Sequence, residues 1–170
     1  MAVISVTKPI IGAINGVAVA SACTLALMCD VVIAAENARF GDPHVKVGLT
    51  SNGIGVAAWA LQVGINRAKE YLMTGDIFDS REAERIGLVN HVVPEGQAYT
   101  EAMKLAKRLA DGAPLAIRWT KVALNQRVQA YMNLALDAGA ALEGLSMLTE
   151  DNKEGVDSFL EKRKPVYKGR

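Results

Sequence analysis

The chain has 170 residues, 51% of them apolar and 22% charged, with a formal net charge of +1. That apolar content excludes a disordered chain, and the length suits one compact domain with its own core. The near-neutral balance offers no electrostatic footprint for nucleic acid or an acidic membrane surface, and the longest apolar run, Val17 to Cys29, is shorter than the roughly 20 residues a membrane span requires.

Lys8 and Pro9 interrupt the N-terminus before any long apolar run, so no signal-peptide pattern is present. Cys23 and Cys29 cannot make a disulfide framework. On a shared helix they stand about 9 Å apart along the axis, too far to bridge. Reduced thiols in a cytoplasmic protein are expected.

In chain order, Ile10 to Ile14 and Val17 to Val19 read as apolar, partly β-branched segments, and the Asn15-Gly16 pair between them predicts a tight turn. Ser21 to Cys29 suits a short buried helix with Ser21 as a candidate N-cap and Asp30 at its end. Val31 to Ala35 reads as a buried strand and Phe40 to Asn52 as a loop. Two short helices follow, Ile54 to Val63 and Asn66 to Met73, separated by Gly64 and ended by Gly75. Asp79-Ser80-Arg81-Glu82 predicts a capping box opening a third helix that stops at Gly87, and Leu88 to Val93 reads as a strand before Pro94. From Gln97 onward the pattern is helical throughout. Four helices are expected, over 97–111, 114–126, 128–147 and 151–164, with Pro114 in a first turn and Thr149 as a cap. This change of character divides the chain into a mixed α/β part, 1–96, and a helical part, 97–170.

Several stretches together resemble the crotonase (enoyl-CoA hydratase/isomerase) family: Lys8 to Gly16 (KPIIGAING), Cys23 to Asp30 (CTLALMCD), Ala38 to Gly41 (ARFG), Gly48-Leu49, Leu72 to Asp76 (LMTGD) and Ala83 to Val89 (AERIGLV). Glu154-Gly155 and Phe159 to Pro165 (FLEKRKP) also fit. No single stretch is specific, but the ordered set spans nearly the whole chain. The resemblance implies an α/β fold, a crotonase-like spiral of ββα units followed by a C-terminal helical trimerisation region. It implies that the spiral is N-terminally incomplete, with Met1 inside the helix that precedes the KPIIGAING strand. It also implies an acyl-CoA substrate, no cofactor beyond the coenzyme A that the substrate carries, and a homotrimer or homohexamer.

Family chemistry stabilises a thioester enolate between backbone N–H donors, where preorganised dipoles meet developing negative charge. The second donor position falls on Ser21, in Ala20-Ser21-Ala22, where the family has a Gly-rich run. The backbone N–H survives this replacement, but the ease of adopting positive φ does not. The two hydratase carboxylate positions fall on Thr24 and His44, and a third acid position, used by some isomerases and hydrolases, falls on Asn52. Thr24 cannot act as a base near neutral pH, and Asn52 can orient a group but not exchange a proton. His44 remains as a proton carrier, with Asp42 close by in sequence. One shuttling base suffices for double-bond isomerisation or hydrolysis of a β-carbonyl bond, whereas hydration is expected to be weak. Lys162 matches a position that reaches the coenzyme A of a neighbouring subunit, with Lys164 and Lys168 as nearby alternatives.

Each residue also has a plainer reading. Ser21 serves as a helix cap, Thr24 as a buried hydroxyl bonded to the preceding turn, Asn52 as a turn residue, His44 as a surface loop histidine and the lysines as a solvated tail. Gly53 to Ala58 fits a loose dinucleotide-binding pattern, G-x-G-x-x-A, but lacks the preceding buried strand and the returning one. A non-catalytic acyl-CoA binder or assembly subunit is the alternative that the missing carboxylates favour.

Overall fold

The computed structural model describes residues 2–170. The N-terminal helix α1, Ala2–Ser5, precedes β1, Ile11–Ile14, and β2, Val17–Val19. Helix α2, Ser21–Leu27, leads to β3, Val31–Ala35, and β4, Arg39–Gly41. A 3-10 helix, Pro43–Val47, precedes α3, Gly53–Val63, and α4, Ile65–Thr74. The short β5, Phe78–Asp79, α5, Ser80–Arg85, and β6, His91–Val93, complete the mixed part. Three helices follow: α6, Ala98–Ala110, α7, Pro114–Met147, and α8, Glu150–Leu160.

The strands form two small sheets, β1-β3-β6 and β2-β4-β5. Parallel pairs β1–β3 and β2–β4 stack the turns of a spiral, each strand pairing with one about twenty residues further along the chain. The Asn15-Gly16 pair, where a tight turn is expected, lies between β1 and β2. The two flanking strands belong to different sheets, so the pair makes a corner between sheets rather than a hairpin. The Gly16 carbonyl accepts from Arg39 N on the next coil, which the hairpin pattern could not anticipate.

The core lies between the strands and α2, α3 and α7, around the fully buried Trp59 and Phe40. Trp59, Tyr71 and Phe78 pack ring against ring, with centroids 4.5 to 6.0 Å apart. A smaller cluster joins Ile33 and Ala35 of β3 to Ala98 and Ala102 of α6.

The expected caps form at Asp79, whose side chain accepts from Glu82 N, and at Thr149, which accepts from Asn152 N. Pro114 starts α7 as expected. Several boundaries differ, two of them in kind. The helices expected at 114–126 and 128–147 are one continuous helix of 34 residues, because Arg127 interrupts the apolar pattern without breaking the backbone. The loop expected from Phe40 to Asn52 contains the end of β4 and the 3-10 helix.

Candidate functional site

The site begins at the N-terminus of α2. Ala20, the residue before the helix, holds φ 53° and ψ −127°, a conformation that a side chain disfavours by about 1–3 kcal/mol. The strain is anchored from both sides. Ala20 N donates to the Gly41 carbonyl at 2.9 Å, and the Ala20 carbonyl accepts from Thr24 N at 3.0 Å. Ser21 is therefore the first helical residue and not the N-cap, and no side chain caps this helix. The N–H groups of its first turn have no partner within the helix and carry the positive end of its dipole.

A cavity of about 380 Å³ opens beside this turn, lined by Ser21 and Thr24 of α2 and by Asn52, with Val3, Leu25, Met28 and Ile54 as its apolar wall. Thr24 is buried, and its hydroxyl donates a 3.4 Å bond to the Ala20 carbonyl. Asn52 caps α3, its Oδ1 accepting from Gly55 N at 2.7 Å. Three residues placed by sequence reasoning in one site thus line one cavity. The plainer reading of Thr24, a hydroxyl bonded to the preceding turn, holds at the same time, whereas Asn52 is a helix cap rather than the expected turn residue.

His44 does not line this cavity. It sits in the 3-10 helix with its ring Nδ1 against Asp42 Oδ1 and its backbone N–H donating to the same oxygen at 3.3 Å. Asp42 is 1% exposed, and its other oxygen accepts from Ser51 Oγ at 2.6 Å. The Asp42 hydrogen bond holds the His44 pKa above its ordinary value against the opposing effect of burial, with Glu143 of α7 adding to the rise. For Asp42, burial pushes upward, but the hydrogen bonds from His44 and Ser51 outweigh it and hold the carboxyl below its ordinary value. Burial pushes the thiol of the adjacent Cys23 up to about 12, so it is an inert core group. Lys162 is exposed, in a left-handed turn (φ 54°) after α8.

Ser51 is the residue that sequence reasoning missed. It is buried, and together with Thr24 and Asn52 it crowds the face of Gly55. A methyl group on Gly55 would meet Ser51 Oγ at 2.9 Å, Thr24 Oγ1 at 3.2 Å and Asn52 Oδ1 at 3.4 Å. No spacing rule joins Ser51 to Asp42 nine residues earlier; only the chain reversal through the 3-10 helix does.

A second, more apolar chamber of about 340 Å³ lies at the other end of α2, against α3 and α7. Of its two charged lining residues, the buried Lys121 donates to the other, Asp30, at 2.6 Å and to the Lys8 carbonyl at 2.9 Å. Those bonds tie α7 to the start of β1. Among the described residues there is no cluster of side chains able to hold a metal ion, and no helix is long and apolar enough to cross a membrane.

The family model for enoyl-CoA hydratase/isomerase matches residues 1–170. The crotonyl-CoA hydratase of Syntrophomonas wolfei is 42% identical over 160 residues, covering 94% of this chain and 62% of that protein. The 2,3-dehydroadipyl-CoA hydratase of Escherichia coli is 38% identical, covering 96% of this chain and 64% of that protein. This chain thus spans a little over three fifths of the length of both relatives. The crystal structure of an enoyl-CoA hydratase from Mycobacterium avium subsp. paratuberculosis superposes with a TM-score of 0.91 at 30% identity, covering 98% of this chain and 68% of that one. In fold and in sequence alike, the chain belongs to the crotonase, or enoyl-CoA hydratase/isomerase, family.

Proposed function

We propose that the chain binds an acyl-CoA thioester in the cavity beside α2 and polarises its carbonyl oxygen with the Ser21 N–H, so that negative charge can develop there as an enolate. The observation that carries this reading is the convergence of Ser21, Thr24 and Asn52 on one cavity at the strained start of α2. Coenzyme A arrives with the substrate, and no separate cofactor is called for. Lys162 is proposed to reach the coenzyme A of a neighbouring subunit in a homotrimer or homohexamer, in the cytoplasm.

The relatives' names point to hydration. Hydration needs one group to activate water and another to exchange a proton at the α-carbon. Thr24 and Asn52 supply neither directly. Isomerisation, or hydrolysis of a β-carbonyl bond, needs a single proton carrier and is the chemistry we propose over hydration. A second reading, binding without turnover, is favoured by one observation: among the described residues, no ionisable side chain lines the cavity.

Loss of enoyl absorbance from crotonyl-CoA, measured beside calorimetric binding of acetoacetyl-CoA, tests these readings. The expected result is binding with little or no hydration. Rapid hydration would overturn the preference for isomerase or hydrolase chemistry, and absence of binding would overturn the acyl-CoA assignment.

A further inference from the structure

The cavity has no ionisable wall among the described residues, yet a buried carboxylate is hydrogen-bonded to Ser51 close by. Asp42 is buried, and its two oxygens are engaged by Ser51 on one side and by the His44 ring on the other. The Ser51 hydroxyl in turn shares the face of Gly55 with the Thr24 hydroxyl, and Thr24 lines the cavity. Gly55 has no side chain to part the two hydroxyls. The Thr24 hydroxyl donates to the Ala20 carbonyl 3.4 Å away rather than to Ser51, so the relay requires it to turn from that long bond. At the far end, the His44 side chain keeps 15% of its exposure and is where the network meets solvent.

We propose that Asp42 is the proton-accepting carboxylate of this site and serves the cavity through the Ser51 and Thr24 hydroxyls. This inference rests on the acyl-CoA reading above and supplies the proton carrier which that reading lacks. In the step, the α-carbon C–H bond of the bound thioester breaks and its electron pair moves into the enolate, whose oxygen accepts from the Ser21 N–H. The proton passes to Thr24 Oγ1 as the Thr24 proton moves to Ser51 Oγ and the Ser51 proton moves to Asp42 Oδ2. The substrate loses one proton and Asp42 gains one. Thr24 is the group that meets the substrate. Ser51 and Asp42 act through it, and His44 positions Asp42 and trades protons with solvent.

The experiment uses butyryl-CoA, which has an exchangeable α-position but no double bond to hydrate. The chain is incubated with it in deuterium oxide, loss of the α-proton signal is followed by NMR, and the dissociation constant is measured in parallel by calorimetry. The expected result is measurable exchange that falls ~100-fold or more in Ser51→Ala and in Thr24→Val, with the dissociation constant of Ser51→Ala, whose position does not line the cavity, changed by no more than about threefold. Thr24→Ser, which returns the hydroxyl, recovers most of the exchange lost in Thr24→Val, a rescue that a purely structural role would not require. Gly55→Ala, which wedges a methyl group between the hydroxyls, also loses exchange. Binding without exchange in the parent chain, or exchange that survives Ser51→Ala, overturns the relay and leaves the acyl-CoA reading standing. Failure to bind butyryl-CoA overturns the reading beneath it, and the relay falls with it.

Discussion

At Asp42 and His44 the same contact appears with opposite signs. The Asp42 pKa is lowered and the His44 pKa is raised. The Asp42 contribution to stability is present above its unfolded pKa, near pH 4, and is lost as pH falls through its lower folded value. The His44 contribution is full below its unfolded pKa, near 6.5, and is lost as pH rises through its higher folded value. The pair therefore stabilises the fold most between about pH 4 and 6.5, where both members are charged. His44→Gln should lower Tm most near pH 5.5, with the gap to the parent chain narrowing by about 2 °C or more by pH 9. A gap constant across that range in thermal melts would mean that the imidazole carries no charge in this contact. The resemblance to the family brings His44 to notice, because it implies an acid at that position. It did not show that the ring turns to Asp42, since a side-chain direction inside a 3-10 helix is set by the Asp42 cap and by α7 behind it, and α7 lies about a hundred residues away.

Among the elements, those governed by local chemistry were legible and those governed by distant partners were not. Asp79, Pro114 and Thr149 mark helix starts through bonds or ring geometry reaching at most three residues, and each is found where the pattern puts it. Helix α7 instead meets a distant partner, α3, against which it packs through paired glycines. A methyl group on Gly139 would stand 2.3 Å from Gly53 Cα and 2.7 Å from Gly53 N. Neither backbone can give way without moving its whole helix, so Gly139→Ala should destabilise the fold by about 1–3 kcal/mol despite the better helix propensity of alanine. Gly144, on the same helix, has open space where a methyl group would stand, with nothing within 4 Å, and Gly144→Ala should stabilise by up to about 1 kcal/mol. Urea midpoints of the two variants would move in opposite directions; if both rose, the close approach of α3 and α7 would be wrong. The same crossing bears on the site, because Gly53 begins the helix that Asn52 caps.

For the molecule as a whole, the balance that matters is one of apolar surface. Helix α7 packs one side on α3 and leaves Leu134 and Leu145 exposed at 80% and 62%. These two lie eleven residues apart, which at about 100° per residue puts them on nearly the same face, and Leu148, 84% exposed, continues the line past the helix end. A row of leucines facing solvent along a helix is what a partner surface requires and what an isolated monomer avoids. That surface is consistent with the proposed homotrimer or homohexamer, and the pattern of α7 is blurred because apolar residues occupy two faces, one packed on α3 and one exposed. Sedimentation velocity should show the parent chain sedimenting as an oligomer at micromolar concentration. Leu145→Glu, which places a charge in the middle of the row, should shift it to smaller species, while the local helix, already exposed at that position, keeps its far-UV circular dichroism. A parent chain that sediments as a monomer across the accessible concentration range, or a Leu145→Glu variant that assembles unchanged, would mean that this face does not hold copies of the chain together.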